Sequence, residues 1–209
     1  MDECCAHKSA ETDRLALHSA QRRVLTIVLV LNASMFAAEF GAGIVAGSSA
    51  LMADAVDMLG DALVYGVSLY ALSRGDLWKA RAAIFKGVFI LLLGVGVLAQ
   101  VGMKVLTGAP PISSIMIWAG FAALAVNLTC LALLWRFRRQ DVNMSSTFEC
   151  SRNDVMANIG VLVAAGAVMT TNSIWPDVIV SLIITAIFAR SAFSVLVGAF
   201  PLLKTPQHT

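Results

Sequence analysis

The chain has 209 residues, 58% of them hydrophobic and only 13% charged, with a formal net charge of +2. A soluble domain of this length carries roughly a quarter charged residues, whereas here long apolar runs raise the mean hydropathy to +0.80. These figures exclude an ordinary soluble enzyme, no basic patch interleaved with aromatics points to nucleic acid, and the fold class is an all-α integral membrane protein.

Residues 1–22 are polar and charged and read as a cytoplasmic tail, with no cleavable signal peptide before the first apolar run. They carry Cys4, Cys5 and His7, three potential metal donors in a segment expected to be flexible. At about 20 apolar residues per crossing, six transmembrane helices fill residues 23–198. Their expected ranges are 24–46, 50–72, 84–106, 115–135, 145–170 and 176–196. The fifth is expected to begin in polar sequence that hydropathy alone reads as loop. Residues 199–209 form a short tail. Cys4, Cys5, Cys130 and Cys150 show no disulfide framework, and thiols facing the cytoplasm stay reduced.

Orientation follows from Lys and Arg, which concentrate on the cytoplasmic side. Arg14, Arg22 and Arg23 precede the first span, and Arg74, Lys79, Arg81 and Lys86 lie between the second and third. Arg136, Arg138, Arg139 and Arg152 flank the fourth and fifth, and Lys204 is in the tail. Near the opposite loops the one basic residue is Lys104. Both termini are therefore expected in the cytoplasm, with the chain multi-pass in the cell (inner) membrane.

The spans carry polar residues that an apolar solvent does not reward. An Asp near the middle of an inserted helix costs roughly 2.5–3.5 kcal/mol, so intramembrane acids are functional suspects. The second span holds Asp54, Asp57 and Asp61, a penalty of about 8–10 kcal/mol together. Asp57 and Asp61 are four residues apart, as are Cys150 and Asp154 in the fifth span, which puts each pair on one helix face. Three carboxylates and a thiol can close a tetrahedral site around a divalent metal.

Depth is compatible with one shared site. At about 1.5 Å per residue, Asp57 and Asp61 lie roughly 14 and 20 Å below the outer edge. Cys150 and Asp154 lie roughly 9 and 15 Å above the inner edge, which levels Asp57 with Asp154 and Asp61 with Cys150 in a core of about 30 Å. Contact between the two spans is not readable from the residues. Asn32 and Glu39 in the first span, Asp54, Asn127 in the fourth and Asn158 in the fifth are candidates for a cavity lining or proton path. Interhelical hydrogen bonding is the competing role for the amides.

The second-span text Gly47-Ser-Ser-Ala-Leu-Met-Ala-Asp54-Ala-Val-Asp57-Met-Leu-Gly-Asp61 resembles that of the cation diffusion facilitator family. So does Cys150-Ser-Arg-Asn-Asp154 followed by Gly160-Val-Leu in the fifth span. The resemblance implies export of zinc and related divalent metals by metal/proton antiport and alternating access, with no enzyme activity and no resident cofactor. It assigns the metal to Asp57, Asp61, Cys150 and Asp154. Two departures stand out: Cys150 occupies the position of a family histidine, and the family's C-terminal cytoplasmic domain is absent, which suggests a short, transmembrane-only member. A thiolate is softer than imidazole and favours zinc and cadmium, with cobalt possible. Cys150 as a small apolar helix residue remains the alternative.

Family members dimerise, and Gly87, Gly94, Gly96 and Gly102 of the third span suit either a homodimer contact or internal packing. Cys4, Cys5 and His7 are a possible metal pick-up site. A metal sensor or passive channel on the same scaffold is the rival reading. An intramembrane aspartyl protease is a remote one, because its Tyr-Asp and Gly-x-Gly-Asp texts are missing.

Overall fold

The computed structural model describes residues 2–71, 76–139 and 142–204, with side chains left undescribed over some of these, chiefly toward the ends of the helices. The described residues form six helices and no strand. They are α1 (Asp2–Ala46), α2 (Ser49–Ala71), α3 (Asp76–Thr107), α4 (Ser113–Trp135), α5 (Val142–Thr171) and α6 (Trp175–Lys204). Four of them contain stretches long and apolar enough to cross a membrane, Ser19–Ala46, Gly87–Thr107, Ser113–Trp135 and Thr147–Thr171. The protein is thus an all-helical membrane protein.

The helix ends lie within a few residues of the expected spans except at three places: α1 starts at Asp2, α3 starts at Asp76 rather than 84, and α6 runs to Lys204 rather than 196. The polar N-terminal stretch forms no loose tail, because α1 runs unbroken from Asp2. No Gly or Pro occurs before Gly41, so nothing there stops a helix from propagating backward from the apolar run. The side chains of Cys4, Cys5 and His7 lie outside the described residues. α5 starts at Val142, in the polar stretch before the apolar run, as expected.

α2 is the central helix and touches all five others. That position explains its sequence: from Ala50 to Val56 nearly every residue is buried, and a helix buried all round needs small side chains. Ala50, Ala53 and Ala55 supply them. Gly43 of α1 completes the fit, because a Cβ there would stand 3.1 Å from the Met52 backbone nitrogen and closer still to its side chain. The turn into α2 passes through Gly47 at φ +62, a conformation that costs other residues strain.

α3 pairs with α6. Gly87 and Gly94 serve this internal packing, with Leu196 and Phe188 of α6 filling the space a side chain would take. Gly96 and Gly102 face open space. On α4 the buried stripe is Met116, Gly120, Ala123, Asn127, Cys130 and Leu134. On α5 it runs through Thr147, Ser151, Asp154, Asn158 and Val161. Both stripes step by three and four residues, the spacing of one helix face, and both become polar over the same stretch.

Candidate metal centre

The polar stretches of α1, α2, α4 and α5 meet inside the bundle. Asp54, Asp61 and Asp154 are buried, as are Glu39, Asn32, Asn127 and Asn158. Asp154 is the convergence point. Its carboxyl faces that of Asp61 closely enough for the two to interact, and Asp57 and Asp54 lie within electrostatic reach. The contact between α2 and α5 that spacing could not supply is therefore present.

Of the α2 acids Asp61 acts most strongly on Asp154, with Asp57 next and Asp54 after it. Asp57 is half-buried and lines a cavity of about 350 Å³ between α5 and α6. That cavity is otherwise mostly apolar, with Asn153 its other polar wall. Cys150, which is in no disulfide, is half-buried at the edge of the α5 stripe, one turn from Asp154. Asp57, Asp61 and Cys150 are all engaged with neighbouring groups. Among the described residues no three His, Cys, Asp or Glu side chains close tightly enough to enclose a metal in this conformation.

A second group of acids adjoins the first. Asn127 Nδ2 donates to Asn158 Oδ1 at 3.0 Å. Asn158 Nδ2 in turn donates to Asp54 Oδ2, which fixes the direction of the whole amide chain from α4 through α5 to α2. Glu39 of α1 faces Asp54 closely enough for the two carboxyls to interact. Neither Glu39 oxygen makes a hydrogen bond of regular geometry, although the residue is completely buried. All five candidates for a cavity or proton path are thus interior, with Glu39, Asp54, Asn158 and Asn127 joined and Asn32 apart from them beside Cys130.

Sequence reading passed over a third polar cluster, at the end of the bundle where α2 and α6 begin. Asp177, near the start of α6, is fully buried and forms an ion pair with Lys104 of α3. Its carboxylate also accepts from Ser48 Oγ at 2.5 Å, Ser49 N at 2.9 Å and Ala50 N at 3.2 Å. Ser48 Oγ accepts from Leu51 N at 3.2 Å, capping α2. A carboxylate here meets both the unsatisfied amides and the positive end of the α2 dipole. The available signal was Lys104, the one basic residue near these loops, which requires a buried anion once it leaves water.

Glu39, Asp54, Asp57, Asp61 and Asp154 gather inside a bundle of apolar helices with no buried basic residue beside them among the described residues, as in a membrane protein that handles cations. The family follows from the sequence itself: residues 25–203 match the cation efflux transmembrane domain, and the chain belongs to the cation efflux family, whose members are transporters rather than enzymes. It is 24% identical over 204 residues to "Zinc transporter ZitB" of Pectobacterium atrosepticum, covering 91% of this chain and 62% of that protein. It is 24% identical over 199 residues to "Metal cation efflux system protein CzcD" of Cupriavidus metallidurans, covering 86% of this chain and 63% of the relative. A "Cation efflux system protein CzcD" of an Alcaligenes species is also 24% identical, over 196 residues, 88% of this chain and 58% of the relative. The chain therefore spans about three fifths of the length of these curated relatives.

Proposed function

We propose that the protein exports a divalent metal cation, zinc or cadmium with cobalt as a further substrate, from the cytoplasm across the inner membrane in exchange for protons. The observation that carries this reading is the buried Asp61–Asp154 carboxyl pair at the α2–α5 interface, with Asp57 within electrostatic reach. Buried acids of one sign repel each other, and a divalent cation is the partner that relieves the repulsion. Relatives named for zinc transport and metal cation efflux support the same cargo.

Asp57, Asp61, Asp154 and Cys150 are the proposed ligands. Fully deprotonated, three carboxylates and a thiolate carry four negative charges against the two positive charges of the metal. The excess retains protons, and metal binding requires deprotonated donors, so loading expels protons and protonation releases metal. Glu39 and Asp54 are proposed as the adjoining proton path, oriented by Asn158 and Asn127. Cys4, Cys5 and His7 would collect metal at the cytoplasmic mouth, with both termini on that side.

Proteoliposomes with an imposed pH gradient test this directly. Zinc and cadmium should move against proton counterflow, manganese poorly, and Asp57→Ala or Asp154→Ala should abolish movement. Metal flux without proton counterflow would make the protein a passive channel. Metal binding without flux would make it a sensor.

A further inference from the structure

We propose that the cavity between α5 and α6 binds amphiphilic organic cations, ammonium ions with an alkyl tail, which enter from the lipid and set their charge against Asp57. Competition with metal at Asp57 rests on the ligand role proposed above, whereas the binding itself does not. The cavity holds about 350 Å³, within the range of small-molecule sites. Met156 of α5 and Ile183 and Ile187 of α6 line it and are exposed, so its mouth opens on the apolar surface that the bundle turns to lipid. Ile184 is the buried inner wall, and half-buried Asp57 and exposed Asn153 supply the polar groups.

Three kinds of occupant compete for such a space, and the walls separate them. A divalent metal needs four or more donors in place of its water, and two polar side chains do not supply them. A lipid acyl chain fits, but lipid tails are as apolar as these side chains, so it gains little by leaving the bilayer. A cation with an apolar tail gains what the others do not. It reaches a carboxylate without leaving apolar surroundings, where the attraction of opposite charges is weakly screened. No other described cation competes for that carboxylate from within the bundle. Lys104, the one buried basic residue among the described residues, is held by Asp177 where α2 and α6 begin.

The test uses the full chain in phosphatidylcholine nanodiscs with labelled hexyltrimethylammonium, and its uncharged isostere 2,2-dimethyloctane as control. The ammonium ion should bind saturably above empty nanodiscs, while the isostere should only partition. Asp57→Asn should weaken binding by at least about tenfold, as loss of a desolvated charge partner does. Ile183→Trp fills the mouth from a helix that carries no proposed ligand. It should weaken ammonium binding as much, with zinc binding and melting temperature unchanged. Saturating zinc should displace the ammonium ion from the parent chain. Equal retention of the isostere overturns the proposal, as does binding that survives Asp57→Asn or Ile183→Trp. Absence of saturable binding overturns it too, and zinc binding in the same nanodiscs then leaves the metal reading standing. Ammonium binding in a chain that binds no zinc sustains the cavity site and removes the metal reading.

Discussion

The end of the bundle where α2 and α6 begin and its middle both bury acids, and they treat them in opposite ways. At that end one carboxylate, Asp177, has Lys104, a hydroxyl and two backbone amides around it. In the middle, Glu39, Asp54, Asp57, Asp61 and Asp154 gather with amides and a thiol, and no buried basic residue joins them among the described residues. A fully paired buried charge holds one arrangement, because every alternative leaves something unsatisfied. A group of like charges without a fixed counterion is open to a movable one. The first region ties α2, α3 and α6 together, and the second is where a cation belongs.

Breaking the central region should have the largest effect. Asp154→Asn, which preserves shape and removes the charge at the convergence point, should cut metal transport by more than about 100-fold, beyond what loss of a supporting residue costs. Initial rates in vesicles check this. Acid should act the same way: as pH falls, protons occupy the carboxyls the metal needs, so bound metal should decline with acidification and return on neutralisation. Equilibrium dialysis across a pH series measures it, and affinity that rises with acidity would contradict the ligand assignment.

Lys104→Met should behave differently. It strands the Asp177 carboxylate in an apolar surround and should cost about 3–5 kcal/mol of stability, read as a lowered melting temperature in detergent. Metal affinity of the protein that remains folded should not change. Transport lost with the melting temperature intact would mean that the outer knot takes part in the cycle.

Between these extremes lies Asn158, which joins Asp54 to Asn127. Asn158→Leu leaves the ligands in place but frees Asp54, and should weaken metal binding about tenfold. Calorimetric titration with zinc gives the value. The smallest effect belongs to Gly47→Ala. No atom lies within 4 Å of the added methyl, so strain at φ +62 alone remains, about 1–2 kcal/mol.

Much of the central region was legible in the residues. Asp57, Asp61, Cys150 and Asp154 announce themselves because charge is rare in long apolar runs, and four-residue spacing puts each pair on one face. The helix ends were readable from the Gly47, Pro110-Pro111 and Asn172 breaks between runs. Pairing across helices was not. Which acids of α2 face Asp154 depends on how the two helices pack, which periodicity does not encode. Lys104 and Asp177 are 73 residues apart and each resembles an ordinary loop-end charge until the fold joins them.

The most direct test of the central claim is the position of the metal. Crystals of the full chain grown with zinc, with anomalous scattering recorded at the zinc edge, should show a peak inside the bundle between the Asp61 and Asp154 carboxyls, within coordination distance of both. The same peak should be absent in Asp154→Asn. A peak found only at the N-terminal cysteines, or beside Asp177, or none within the bundle at saturating zinc, would contradict the account.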